Sequence, residues 1–271
     1  KEKREEELGA RLAKLDDDFA FIAESNIGGE FMDEGRMKRV RDIAEITWTR
    51  TLDDRLGVSY EELKRKNRTP KPDLPVRENM LSDKPEHIIP REGVDALAND
   101  ERFGFKLDVP ENKYNLGEVY NLCIARGTLT PEERFKINDH IIQTISMLEQ
   151  LPFPKHLKKV PEYAGGHHET MIGTGYPRKL SKEDMSLPAR IMAIADIFEA
   201  LTAADRPYKK PKTLSESIRI LSFMKKDKHV DEDLFNLFLT SGIYKDYAER
   251  RLLPEQIDEV DIAQYVGAPQ A

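Results

Sequence analysis

The 271 residues suffice for one large domain or two modest ones, and a make-up of 39% hydrophobic and 34% charged residues excludes overall disorder. A formal net charge of -7 argues against a diffuse nucleic-acid-binding surface, so DNA is not an expected partner. A single cysteine, Cys123, excludes an intrachain disulfide and a thiolate metal cluster, while the charged opening KEKREEELGARL and the lack of a long apolar run predict a cytoplasmic protein that this chain does not insert in a membrane.

Residues 1–18 are rich in charge, and Leu8, Leu12 and Leu15 follow at spacings of four and three, the pattern of an amphipathic helix. Gly28 and Gly29 break the chain. Helical periodicity resumes over residues 36–56 and stops at Gly57, and Ser59 with Glu61 and Glu62 can start another turn. Residues 67–90 carry prolines at 70, 72, 75, 85 and 90, which cannot all sit inside helices, so this block reads as a loop or inserted arm. FKLDVP, near residues 105–110, reads as a short strand or extended chain.

From residue 129 the helical signals strengthen. Thr130 can cap, Pro131 suits the first helical position, and Glu132 and Glu133 meet the positive end of a helix that runs on until Pro152 and Pro154 stop it. Pro188 opens the most apolar helix of the chain, ARIMAIADIFEALTAA, expected to be central and polar only at Asp196, Glu199 and its ends. Two further helices are predicted around residues 215–225 and 231–241. Neither βαβ alternation nor GxGxxG is present, so a dinucleotide-binding sheet has no support. The expected organisation is N-terminal helices over 1–64, an irregular insertion or linker over 65–115, and a helical C-terminal portion over 116–271.

His167, His168 and Glu169 follow Gly165 and Gly166 directly. Adjacent side chains on regular structure point in different directions, so the two imidazoles can reach different parts of one site. Imidazole is an ordinary ligand for borderline transition metals, supplemented by carboxylate. Asp196 interrupts an apolar helix, where a buried carboxylate is costly unless it is paired or metal-bound. His140 has apolar neighbours and, taken alone, equally suits a local hydrogen bond. His87, His156 and His229 read as surface residues and Cys123 as a core residue. The HHE triplet lacks the HExxH spacing of a zinc protease.

The stretch HHETMIGTGYPRKL, followed by PARIMAIADIFEALTAADRPYKKPKTLSE, resembles the C-terminal half of an HD-GYP domain, whose pattern is HHExxDGxGYPxGL, then RIxxIADxxDAL, then RPYR or RPYK. Upstream, RGTLTPEERFKINDHIIQTISML resembles the family's KLTxEE segment and a later metal-binding histidine. The resemblance covers residues 122–238, with a fainter likeness over 36–63. It implies an all-α, HD-domain-like helical bundle with an irregular inserted arm. It also implies a metal-dependent phosphodiesterase of bacterial signal transduction, acting on cyclic di-GMP or a related cyclic dinucleotide, with iron or manganese as cofactor.

Carried over residue by residue, the implied metal ligands are His140, His167, His168 and Asp196, the last three also catalytic. Gly175, Tyr176 and Pro177 match the loop that shapes the substrate side, and Arg206 and Lys209 match basic residues that contact the substrate phosphates. Departures accompany the match. The family's HDIGK is replaced by Glu111-Asn112-Lys113-Tyr114, and no His-Asp dipeptide, histidine first, occurs anywhere in the chain. Ile172 stands for the aspartate of HHExxDG and Lys179 for a glycine, and one extra residue separates Asp196 from Arg206. Glu30 and Glu34 have the spacing of a further ligand pair found in some members. The alternatives are a catalytically weak or inactive cyclic-dinucleotide sensor and a module that docks other signalling proteins; a homodimer is a separate expectation.

Overall fold

The structure is a computed structural model, and it describes residues 2–91, 102–204 and 211–266. Two compact units divide the chain: Lys1–Val94 with Pro110–Lys136, and Asp95–Val109 with Ile137–Ala271. Helices dominate both, and sheet is confined to two antiparallel ribbons of two strands each among the described residues. No described helix is long and apolar enough to cross a membrane.

The first unit is built on α1 (Glu2–Ile27) and α2 (Glu34–Ala44). Asp33 caps α2 by accepting a hydrogen bond from the Arg36 N–H at 2.9 Å. Phe21 of α1 and Val40 and Ile43 of α2 bury their side chains with Leu122 of α4 (Glu118–Leu122), and the half-buried Cys123 packs against this cluster. The guanidinium of Arg39 lies over the Phe21 ring, 4.2 Å from its centroid. The helix expected to reach residue 56 instead ends at Ala44, and β1 (Thr47–Arg50) pairs with β2 (Val76–Asn79). The β-branched and aromatic run Ile46-Thr47-Trp48-Thr49 favours extended chain. Buried Arg50 then grips Glu78 through two hydrogen bonds of 3.0 Å across the ribbon.

The arm expected to be irregular is therefore partly ordered. After α3 (Tyr60–Lys66) it carries β2, a single 3-10 turn at Pro85–His87, and β3 (Ile88–Pro90), which pairs with β4 (Asn112–Asn115). Its prolines lie outside the helices, apart from the permitted first position at Pro85. Residues 105–109 form no strand, and the Lys106 N–H donates to the Pro177 carbonyl at 2.7 Å.

Helix α5 (Pro131–Glu149) opens in the first unit and continues into the second. Thr130 caps its start as read from sequence, and Glu133 makes the cap reciprocal: the Glu133 N–H donates to Thr130 Oγ1 at 3.2 Å and the Thr130 N–H to the Glu133 carboxylate at 2.9 Å. In the second unit α5 buries Ile141, Ile142 and Ile145 completely. The unit continues with α6 (Val160–Gly165), α7 (Leu187–Thr202), α8 (Leu214–Lys226), α9 (Glu232–Thr240) and α10 (Ile243–Arg251). Its main core joins Ile194 and Phe198 of α7 to Ile218 and Leu221 of α8, Phe235 and Leu239 of α9, and Tyr244 of α10.

Burying each such side chain stabilises the fold by about 1.5–3 kcal/mol. Buried Asp231 accepts from the Asp233 and Leu234 N–H groups at the start of α9 and also pairs with Arg190 and Lys182.

The expectation that α7 is central on nearly every side is corrected. Ala189, Ala193, Ile194, Phe198 and Thr202 form its buried stripe, whereas Leu187, Ile191, Met192 and Asp196 are exposed. Asp196 lies about 160° around the helix from Ile194 and Phe198 but only about 20° from Ala189, so it is exposed on the side of α7 that buries Ala189 and Ala193 further back. It carries no burial cost that a metal would have to offset.

Candidate metal centre

Two segments of the second unit deliver three imidazoles to one place. His140 lies on α5, and His167 and His168 follow the end of α6. The helices approach closely because Gly165 has no side chain; a Cβ there would lie 2.7 Å from Ile145 Cγ1 of α5. One ring nitrogen from each of His140, His167 and His168 lies within 4.8 Å of the other two.

The rings are oriented by backbone carbonyls. His140 Nδ1 faces the Ile137 carbonyl, and His167 Nδ1 lies 2.7 Å from the Ala164 carbonyl. A carbonyl only accepts, so in both rings the proton belongs on Nδ1 and the Nε2 lone pair is left for the cluster. His168 Nε2 lies 3.1 Å from His140 Nε2. Burial, followed by the neighbouring imidazoles, pushes the His168 pKa down to about 3, so the ring is neutral near pH 7. Neutral imidazole is the form that binds a metal. Nitrogens this close, two of them with lone pairs directed inward, fit a divalent transition ion better than they fit one another.

The loop after the histidine pair folds back on it. The Tyr176 ring stacks on His168 with centroids 4.7 Å apart and planes 19° apart, and the Tyr176 N–H donates to the His168 carbonyl at 3.2 Å. Gly175 permits this return, because a Cβ there would fall 2.5 Å from Glu169 Cα. Pro177 follows through a cis peptide bond, and its carbonyl accepts the Lys106 N–H. Thus the Gly175, Tyr176 and Pro177 segment supports the histidine pair directly.

Glu169 is a residue that the sequence reading left out of the site. It is fully buried, and its carboxylate accepts from the Arg178 N–H at 2.7 Å and the Leu180 N–H at 2.8 Å, closing the loop. Burial pushes its pKa up, against the backbone amides that pull it down. The HHE triplet was the only signal for it, and nothing local says that this carboxylate turns away from the metal position. His229 was expected at the surface; it is half-buried instead, burial lowers its pKa, and its charge is felt at His168.

The remaining candidates are placed as follows. Asp196 is exposed on α7 and is not among the three clustered residues, and no carboxylate joins that cluster among the described residues. Arg206 and Lys209 lie outside the described residues.

A model of the HD domain matches residues 75–234, more than half of the chain and including all three clustered histidines. The chain belongs to the HD domain family. This HD domain is similar over 83 residues, at 42% identity, to a 3'3'-cGAMP-specific phosphodiesterase of Vibrio cholerae; the stretch is 31% of the chain and 19% of the relative. A cyclic di-GMP phosphodiesterase of Pseudomonas aeruginosa is 43% identical over 79 residues, 29% of the chain and 18% of the relative. A cyclic di-GMP phosphodiesterase of Thermotoga maritima is 39% identical over 104 residues, 38% of the chain and 28% of the relative. The chain thus spans less than a third of the length of these curated relatives. It is an HD-GYP-like member whose sequence has no His-Asp dipeptide, histidine first.

Proposed function

We propose that this HD domain is a metal-dependent phosphodiesterase that hydrolyses cyclic di-GMP or a related cyclic dinucleotide. The observation that carries this reading is the convergence of His140, His167 and His168 within 4.8 Å, with His168 held neutral. The names of the similar proteins support the substrate class.

His140, His167 and His168 would hold the ion; iron suits a mainly nitrogen donor set, and manganese enters on the family resemblance alone. When bound, such an ion supplies Lewis-acid polarisation of a phosphoryl oxygen and lowers the pKa of water. The chain's own residues orient the donors. The Ile137 and Ala164 carbonyls fix two imidazole tautomers, and Tyr176 holds the plane of His168. Asp196 enters as a further ligand on the motif alone. Arg206 and Lys209 enter, also on the motif, as the groups that meet the substrate phosphates, for which a guanidinium fork and an ammonium are chemically suited.

A second reading, a nucleotide sensor with little or no turnover, draws on the absence of a carboxylate from the histidine cluster among the described residues. Three neutral imidazoles leave the ion's charge without local compensation, and fewer anionic ligands means a less firmly held metal. One experiment separates the readings. The protein is loaded with manganese or iron under reducing conditions, and both cyclic dinucleotide hydrolysis and bound metal are compared with those of His168→Ala. Hydrolysis lost in the variant supports the enzyme. Tight nucleotide binding without turnover across both metals replaces it with the sensor.

A further inference from the structure

Within the first unit α1 carries two different faces. Phe21 is buried against α2 and α4, and the buried Asp18 carboxylate is held by Lys14 and Arg39. A second face carries Leu8, Leu12, Leu15 and Phe19, which are 56%, 54%, 51% and 76% exposed, and then Ile22, half-buried at the edge of the core. Their spacings are four, three, four and three. That is the alternation of the two seam positions of a heptad repeat, and it is narrower than the stripe of a helix that packs onto a globular core. Large apolar side chains left in a continuous exposed row on a helix point to a partner surface.

We propose that this face pairs with the same face of a second copy of the chain, as a short parallel two-stranded coiled coil over residues 8–22. The flanking charges select the partner and its direction. In a parallel pair the residue preceding one seam position faces the residue five places later on the other helix, which sets Arg11 against Asp16 of the second copy, twice by symmetry. Arg11 and Asp16 are both exposed, and neither has a partner among the described residues. An antiparallel pair would instead turn Arg11 toward Asp18, whose carboxylate is already committed to Lys14 and Arg39 in its own chain. A membrane surface is a poorer occupant, because α1 carries eight acidic against four basic side chains and anionic headgroups would repel it.

The pairing is independent of the metal site and is tested on the full chain. In a Cys123→Ser background, Leu8→Cys is oxidised under mild conditions and compared with Ala10→Cys, which lies on the opposite side of α1. Parallel pairing brings the two Leu8 positions within disulfide reach and keeps the Ala10 positions apart. The expected result is a disulfide-linked dimer formed several-fold more by Leu8→Cys. Light scattering should give twice the 31.2 kDa chain mass, and Leu12→Glu should raise the dimer dissociation constant by more than about 10-fold without loss of helix signal. A monomer at every concentration, equal cross-linking at both cysteines, or cross-linking of Leu8→Cys to Phe19→Cys in place of itself would each overturn the proposal.

Discussion

Tyr176 lies flat on the imidazole of His168, with ring centroids 4.7 Å apart, and its own N–H is bonded to the His168 carbonyl. A signature tyrosine expected on the substrate side therefore also walls the histidine cluster. Aromatic contacts of this kind contribute about 0.5–1.5 kcal/mol beyond area burial. Tyr176→Leu should consequently weaken metal retention by roughly 2- to 10-fold, while Tyr176→Phe keeps it near wild type. Competition with a calibrated chelator measures the difference; equal retention by all three proteins would refute the supporting role.

Glu169 should matter for stability more than its distance from any reacting atom would suggest. Glu169→Ala leaves the Arg178 and Leu180 N–H groups without their acceptor inside the protein. Each unsatisfied donor costs about 1–3 kcal/mol, so a loss of about 2–5 kcal/mol is expected in urea unfolding. A midpoint within error of wild type would show that the loop does not depend on this carboxylate.

Stability of the metal-free protein should fall with acidification before its carboxylates titrate. His168 and His229 have folded pKa values below the ordinary 6.5, both chiefly through burial. Below pH 6.5 the unfolded chain takes up protons that these folded rings refuse, which favours unfolding. For His168 the loss develops from pH 6.5 down to about 3. Asp231, held below its ordinary 3.8 by Arg190 and Lys182 against its own burial, adds a loss only at lower pH. Urea midpoints between pH 8 and pH 4 should decline through the histidine range, and less steeply in His168→Asn, where only His229 remains. A midpoint that stays level from pH 7 to pH 4.5 would contradict this.

Asp196→Asn should leave unfolding free energy within about 0.5 kcal/mol of wild type, because the side chain is exposed and outside the core. Bound metal measured on the same sample then reports on ligation alone. Reduced metal with unchanged stability establishes Asp196 as a ligand, and unchanged metal removes it from the set.

The local grammar of the chain determined many of its helix ends. Thr130 with Glu133 and Thr213 with Glu216 form reciprocal caps, and Asp231 caps α9. Such bonds join groups two or three residues apart, so the residue types nearly specify them. The ordered motif from His167 to Tyr176 likewise pointed to two of the three clustered histidines. Tertiary structure decided what depends on distant partners. The pairing of β1 with β2 requires Arg50 to find Glu78, 28 positions away, and this displaced the helix expected there. The inward turn of Glu169 depends on a loop whose amides return nine and eleven residues later. Leu187, Ile191 and Met192 of α7 are exposed although apolar, so packing, not composition, chose which of its residues are buried. A sequence states which side chains prefer to be buried; only the set of surfaces that close against one another determines which of them are.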